Sequence, residues 1–384
     1  MSYFQFSRYR LFINNFFKVQ FNKDRIYGLD ILRALAILFV VIGHGTNYLP
    51  QKLKGISDFF VFDGVSIFFV LSGFLIGGII IKVLEKNKAT IKTLFNFWIR
   101  RWFRTLPNYY MLIFLLLMFL PYIFYGGMSN PFRKMEYLFF LQNLNKPHPT
   151  FFPEAWSLCV EEWFYLIVPI IIFFLVGCVK ISVKKAVFIS AIFIMVTSMI
   201  FRYIKYTNIP INSIDDWDIN IRKQVFTRLD SNMFGLVGAF ISFYYKEAWK
   251  KHKNLLFIIG IIILIVHRYI YLAVGMGVYM CIFSFSLVSL GVLLILPFLS
   301  EYKKGTGIIF TFFTFISIIS YSLYLLNLSM FSEFGLNLFN RCSLTGHTMV
   351  IVRYMWYWFF SISGSFLLYT FWEKPMMNLR EKFK

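Results

Sequence analysis

The chain has 384 residues, of which 59% are hydrophobic, 21% aromatic and only 15% charged. So much apolar surface cannot be hidden in one water-soluble core, and lipid must solvate most of it. The net charge of +21 would elsewhere suggest nucleic acid, but Lys and Arg cluster between apolar runs and read as topology signals, which leaves no nucleic-acid partner.

From Met1 to Arg25, Phe and Tyr mix with Arg8, Arg10, Lys18, Lys23 and Arg25, without the long apolar core and cleavage site of a signal peptide. Residues 1–26 are expected to stay on the mature protein, either as an interfacial helix on anionic headgroups or as a frayed basic tail. Ten apolar runs of about span length follow: Ile31–Leu49, Phe59–Ile81, Tyr109–Tyr125, Ser157–Cys178, Ala186–Phe201, Phe226–Tyr245, Leu255–Tyr271, Val274–Leu299, Ile308–Asn327 and Met349–Phe371. At Leu272 and Ala273 the gap is so short that two spans could form one bent hairpin. With the N-terminus placed in the cytoplasm, 25 Lys and Arg fall on the inner side and 13 on the outer, which supports both termini inside. The expectation is an all-α, polytopic integral membrane protein of about ten transmembrane helices.

The first span carries three polar residues that a bilayer should reject, Asp30, Arg33 and His44. On a helix Arg33 and His44 are about 20° out of phase and about 16 Å apart, so they share a face at two depths. Asp30, three residues before Arg33, is within ion-pair reach. A neutral imidazole at His44 would leave a ring nitrogen free to take a proton from a hydroxyl. The plainer alternative is a core histidine bonded to a neighbouring carbonyl.

Between the second and third spans, Lys82 to Asn108 is a basic inner connection containing Arg100, Arg101 and Arg104. These three are either positive-inside residues or, on a helix, a fork suited to phosphates, with Trp102 and Phe103 as interfacial anchors. The outer connection Arg202 to Val225 carries Asp215, Asp216, Trp217 and Asp218. Connections this long are usually functional or disordered.

Trp156, Ser157, Glu161 and Glu162 open the fourth span. Ser157 and Glu161 lie one turn apart, so the hydroxyl is expected to bond the carboxylate, while Glu162 points about 100° away. A capping box would explain the serine alone, but two glutamates entering a span exceed what capping needs. Cys159 is a poor candidate for an acyl-carrying nucleophile because nothing near it in sequence would activate the thiol. Neither it nor Cys178, Cys281 and Cys342 shows paired or metal-type spacing, and no metal site is expected. In the sixth span Arg228 and Asp230 precede Ser231, Gly235 and Gly238, a pattern of charge pairing and close small-residue packing. The last span ends at Glu373-Lys374-Pro375, where proline is expected to stop the helix and the charges to meet water. His148, His252, His267 and His347 gain no role from sequence.

Taken in order, these motifs resemble the acyltransferase-3 family of integral membrane acyltransferases. Leu29-Asp30-x-x-Arg33-Ala34 with His44 is similar to its Arg-x10-His signature, Phe68 to Ile76 with Ser72 to its second-span motif, and Arg100-Arg101-x-x-Arg104-x-x-Pro107 to its basic loop. Trp156-Ser157-Leu158-x-Val160-Glu161-Glu162 is similar to the fourth-span motif, Arg228-Leu229-Asp230 to the sixth-span one, and Ser320 to Leu325 with Glu373-x-Pro375 to the end of the family pattern. Three positions depart from it: Cys159 where the family often has serine, Trp163 where it has glutamine, and Asn327 where it commonly has histidine.

The resemblance implies a membrane acyltransferase domain over residues 27–384, without the extra hydrolase-like domain of many relatives, in the inner (plasma) membrane. It implies transfer of an acyl group, usually acetyl from acetyl-CoA, to a hydroxyl of a cell-surface polysaccharide or lipid-linked sugar. No cofactor is held permanently; acyl-CoA and glycan are substrates, and the oligomeric state is left open. Arg100, Arg101 and Arg104 would hold CoA phosphates. His44 would be general base or transient acyl carrier, with Asp30 holding Arg33 and Arg33 stabilising charge on the thioester or phosphate side. The acceptor would arrive from the Ser157 and Glu161 side, where Glu161 with Ser157 would orient it or relay a proton, with Trp156, Glu162, Ser72, Arg228 and Asp230 in support. A different reading of the same buried charges is a glycan transporter, although no repeated halves of the transporter kind are visible.

Overall fold

In the computed structural model, residues 25–119, 135–273, 275–333, 335 and 347–379 are described, and the expected N-terminal segment falls outside them except for Arg25 and Ile26. Among the described residues the regular elements are helical. The long ones are α1 (Tyr27–Gly45), α2 (Gln51–Phe60), α3 (Gly64–Lys86), α4 (Ile91–Phe114), α5 (Ala155–Gly177), α6 (Val183–Asn208), α7 (Leu229–Tyr244), α8 (Lys253–Ala273), α9 (Tyr279–Glu301), α10 (Gly307–Glu333, its last turns widened) and α11 (His347–Leu368). Nine of the ten expected spans lie largely on one helix each, α2 being an addition. Of the third, Tyr109–Tyr125, Tyr109–Phe114 end α4, Leu115–Phe119 continue it in widened turns and residues 120–125 lie outside those described.

Among the described residues seven helices, α1, α3, α5, α6, α8, α9 and α10, are long and apolar enough to cross a membrane, so the chain is a multi-pass membrane protein. Of the other three candidates, Tyr109–Tyr125 runs past the described residues at 119, α7 has 16 residues, and α11 is diluted by Arg353 and by its Trp, Tyr and Ser side chains.

The two long connections shrink once helices are placed. Lys82 belongs to α3, and α4 begins at Ile91 with Thr90 capping the backbone N–H of Thr93 at 3.3 Å, so the basic stretch is helical and not a loop. Arg202 is wholly buried within α6. The segment after it is held by a capping box between Ser213 and Asp216 and then by a short helix at Ile214–Trp217.

α1 lies at the centre, against α3, α9 and α10. α3 and α7 make the closest pair in the bundle. A Cβ on Gly73 would stand 1.9 Å from the carbonyl oxygen of Asn232, and one on Gly235 would stand 2.0 Å from that of Val70, so only glycine permits this approach. The charged residues of α7 are paired as expected, but with other helices and not with each other. Asp230 takes Arg202 of α6 at 2.8 Å, while Arg228 donates to Ser66 at 2.6 Å and lies 3.9 Å from Asp63. Their sequence proximity is misleading because Arg228 stands at the helix N-cap, in a non-helical conformation that sends its side chain elsewhere.

The end of the chain departs from expectation. Glu373 is buried, accepting from Asn108 at 3.0 Å and Ser322 at 2.5 Å, and so does not reach water. Pro375 follows the widened turn Tyr369–Glu373 within a helical run that continues through Lys374–Leu379, so it does not stop the helix.

Candidate active site

Local sequence fixes one end of α1. Asp30 is buried and accepts from Arg33 at 3.2 Å, Arg25 at 2.5 Å and the Ser317 hydroxyl at 2.8 Å. Two guanidinium groups and a hydroxyl therefore neutralise and pin one carboxylate, and the i,i+3 spacing from Asp30 holds Arg33 in place.

Arg33 faces a cavity of about 110 Å³ with Arg101 and Arg104 from α4, Ser72 from α3, Ser157, Glu161 and Tyr165 from α5, and Tyr321 and Tyr324 from α10. Three guanidinium groups converge there. Arg100, expected as part of the same fork, is exposed and lines a separate surface pocket with Asn87, Asn96 and Arg101.

The fourth-span residues regroup. Tyr165 donates to Glu161 at 3.2 Å and shares a 2.7 Å hydrogen bond with Ser72, while the Arg101 guanidinium lies 5.3 Å from the Tyr165 ring centre. The expected Ser157–Glu161 bond is not made. Ser157 instead bonds the Tyr324 hydroxyl at 2.6 Å and turns back toward the Glu154 carbonyl at 3.5 Å, the local bond that serine favours in helices. Nor does Ser157 cap the helix, which begins two residues earlier. Both Ser157 and Glu161 line the arginine cavity, so the separate acceptor side expected from them is not matched by the geometry. Glu162 is buried outside that cavity, as its position around the helix requires.

At the other end of α1, His44 is half-buried, and its Nδ1 lies 2.5 Å from Asn327 Oδ1. Asn327 Nδ2 donates to the carbonyls of Leu323 at 2.7 Å and Tyr324 at 2.8 Å, which fixes the amide and aims its oxygen at the ring. An amide oxygen can only accept, so His44 carries its proton on Nδ1. The neutral ring then offers Nε2 as a base. Asn327 is the departure from the family pattern, and sequence gave it no role.

Around His44 a second cavity of about 270 Å³ is lined by Asp63, Glu154, Trp156, Arg222, Lys223 and Tyr324. Here Trp156 takes a place of its own, with the Arg222 guanidinium 4.9 Å from its ring centre. Asp218 lies 2.8 Å from Arg222 and 2.5 Å from Lys223. Burial alone would raise the Asp218 carboxyl, but Arg222 and Lys223 outweigh it and hold it below its ordinary range. Val65 and Tyr324 line both cavities, so the arginine cavity and the histidine cavity are neighbours across a shared wall. Asp63, Glu154, Arg222 and Tyr324 were not singled out from sequence. The acidic run at 215–218 hinted at Arg222 through its i,i+4 spacing from Asp218, Tyr324 lay inside the Ser320–Leu325 motif without a role, and nothing local hinted at Asp63 or Glu154. Cys159, Cys178 and Cys281 are free thiols.

Residues 26–370 match the acyltransferase domain of the acyltransferase-3 family, and the chain belongs to that family. It is 33% identical over 164 residues to the peptidoglycan O-acetyltransferase OatA of Listeria monocytogenes, covering 39% of this chain and 24% of that protein. It is 34% identical over 170 residues to a Bacillus subtilis protein provisionally named peptidoglycan O-acetyltransferase YrhL, covering 40% and 24%. With a Staphylococcus aureus protein provisionally named an O-acetyltransferase it shares 30% identity over 228 residues, covering 56% and 35%. The matched region thus spans between 24% and 35% of these relatives' own length. No solved structure matches the chain significantly.

Proposed function

We propose that this chain is a membrane O-acetyltransferase that moves the acetyl group of acetyl-CoA to a hydroxyl of a cell-envelope glycan. The observation that carries the reading is the placement of a histidine with an available Nε2 one wall away from three converging arginines. Relatives named as peptidoglycan O-acetyltransferases support a glycan acceptor.

The Arg33 end faces the cytoplasm, with both termini inside and the protein in the plasma membrane. Positive charge supports this side, and the burial of Arg202 and Arg228 removes two cations from the opposite side. Arg101 and Arg104 hold CoA phosphates, with Arg33 at the entrance of the thioester arm. The acetyl thioester reaches the wall formed by Val65 and Tyr324. There the acceptor hydroxyl gives its proton to His44 Nε2, and its oxygen bonds to the thioester carbonyl carbon. The C–S bond then breaks, and the imidazolium returns the proton to the CoA sulfur. Asn327 holds the ring in the tautomer this requires. The acceptor enters from the Arg222 and Trp156 side, a change from the Ser157 and Glu161 side that sequence suggested.

The test is transfer of labelled acetyl from acetyl-CoA to envelope glycan by the full chain in vesicles. His44→Ala should lower transfer by about 10²- to 10⁴-fold with the protein still inserted and acetyl-CoA still bound. Near-normal transfer by that variant would sink the mechanism, and a wild-type protein that binds no acetyl-CoA would return the transporter reading.

A further inference from the structure

One buried carboxyl beside His44 is left unused by the mechanism. Glu154 stands at the N-cap of α5, just outside the span which that helix opens, and is 1% exposed. A carboxylate at an N-cap ordinarily accepts from the first backbone N–H groups of its own helix. This one makes no such bond. Among the described residues it has no ion-pair partner either, whereas Asp63 and Asp218 nearby are each paired with Arg222. A buried carboxylate without a cation is costly, so capping alone does not account for a glutamate here.

The side chain reaches α10 instead. Oε2 lies 2.6 Å from the Ser329 hydroxyl and Oε1 accepts from the Ser329 N–H at 3.3 Å, while the Glu154 carbonyl accepts from the Tyr324 hydroxyl at 3.1 Å. Asn327 lies between these two anchor points, at the join where regular α-helix gives way to the widened turns Asn327–Glu333. Such turns are rare in helices and concentrate at functional sites. Glu154 thus grips α10 on both sides of the amide whose oxygen meets His44 Nδ1.

A neutral carboxyl suits this grip. Burial pushes the Glu154 carboxyl up to about 8, although the Ser329 bonds pull the other way. A protonated carboxyl donates through one oxygen and accepts through the other, which matches a hydroxyl and an N–H on one serine. A glutamine amide offers the same pair.

We propose that Glu154 is a positioning residue: by holding α10 on both sides of Asn327 it keeps the amide oxygen on His44 Nδ1 and leaves Nε2 bare. The proposal rests on the transferase reading of His44.

The experiment places the full chain, labelled with nitrogen-15 histidine, in lipid nanodiscs and reads the ring tautomer by solid-state NMR alongside acetyl transfer. The signal lost in His44→Ala assigns the ring. Wild type should show a protonated Nδ1 and a bare Nε2; a wild-type ring protonated on Nε2 would overturn the proposal. Glu154→Ala should bring in the Nε2–H tautomer and cut kcat by about tenfold with KM for acetyl-CoA unchanged, a split that general loosening of the fold would not give. Glu154→Gln should restore the tautomer and recover most of the loss. Ser329→Ala, which removes the hydroxyl and leaves the N–H, should lower kcat by about threefold and carries the test if Glu154→Ala does not insert. A wild-type tautomer and kcat in Glu154→Ala, or in Ser329→Ala where that variant carries the test, would overturn the proposal. A loss in Glu154→Gln as deep as in Glu154→Ala would make the carboxyl a proton carrier and overturn the positioning role. A tautomer that follows Glu154 in a protein transferring no acetyl from acetyl-CoA would support the grip and sink the enzymatic reading.

Discussion

The two ends of α1 are built in opposite ways. At the Arg33 end, Asp30 and Arg33 are partners three residues apart, and the arginines that join them lie close together on α4. At the His44 end the histidine depends on Asn327, on Tyr324 of the same helix, and on Arg222 and Asp63 from segments far away in sequence. A cluster of charges close in sequence announces itself. A single imidazole whose proton is placed by a distant amide does not, although the chemistry is assigned to that end.

The donor end should give the larger response in binding. Replacing Arg101 and Arg104 together with Gln removes two charge-assisted contacts, each worth about 1.5 kcal/mol or more, so KM for acetyl-CoA should rise by about 100-fold. Acetyl transfer at saturating donor should stay near the wild-type rate. If kcat collapsed and KM did not move, the arginine cavity would be part of the chemistry and the division between the two ends would fail.

The acceptor end should respond in rate. Asn327→Leu removes the acceptor that keeps the His44 proton on Nδ1, and kcat should fall by about tenfold to a hundredfold with KM for acetyl-CoA unchanged. Asn327→Gln, which can offer the same oxygen, should recover part of the loss. Full activity in Asn327→Leu would show that the ring finds its tautomer without help.

What sequence made legible follows the same division. Apolar runs of span length located nine of the long helices, because burial in lipid demands continuous apolar stretches with no compensation from a distant partner, but missed the short amphipathic α2. The Gly73 and Gly235 contact was foreshadowed by small residues on α7. Partners were the weak point. Spacing along one helix matches Ser157 to Glu161, yet Ser157 bonds Tyr324. Arg228 and Asp230 read as charge-paired with no partner named, and their contacts, Ser66 and Asp63 for Arg228 and Arg202 for Asp230, come from other helices. In a bundle a buried polar group takes whichever partner the neighbouring helices present, and spacing along one helix does not report that. In the basic connection sequence suggests a helix for the arginines alone, and it extends from Ile91 with one face buried at Leu94, Phe97, Thr105 and Asn108.

The smallest effect is expected at Arg100, and it tests the division most narrowly. At about 100° per residue, Arg100, Arg104 and Arg101 occupy an arc of about 100° on α4 in that angular order. A cavity centred between Arg104 and Arg101 leaves Arg100 about 70° off its centre, which agrees with its exposed position beside Asn87 and Asn96. An exposed guanidinium at that distance is screened by water and contributes little, so Arg100→Gln should change KM for acetyl-CoA by less than about twofold. Should Arg100→Gln weaken donor binding as much as Arg101→Gln, the phosphates would have to lie on the outer surface of α4 between those two side chains. The thioester would then start one helix width farther from His44, and the short path past Val65 and Tyr324 would no longer connect donor to base.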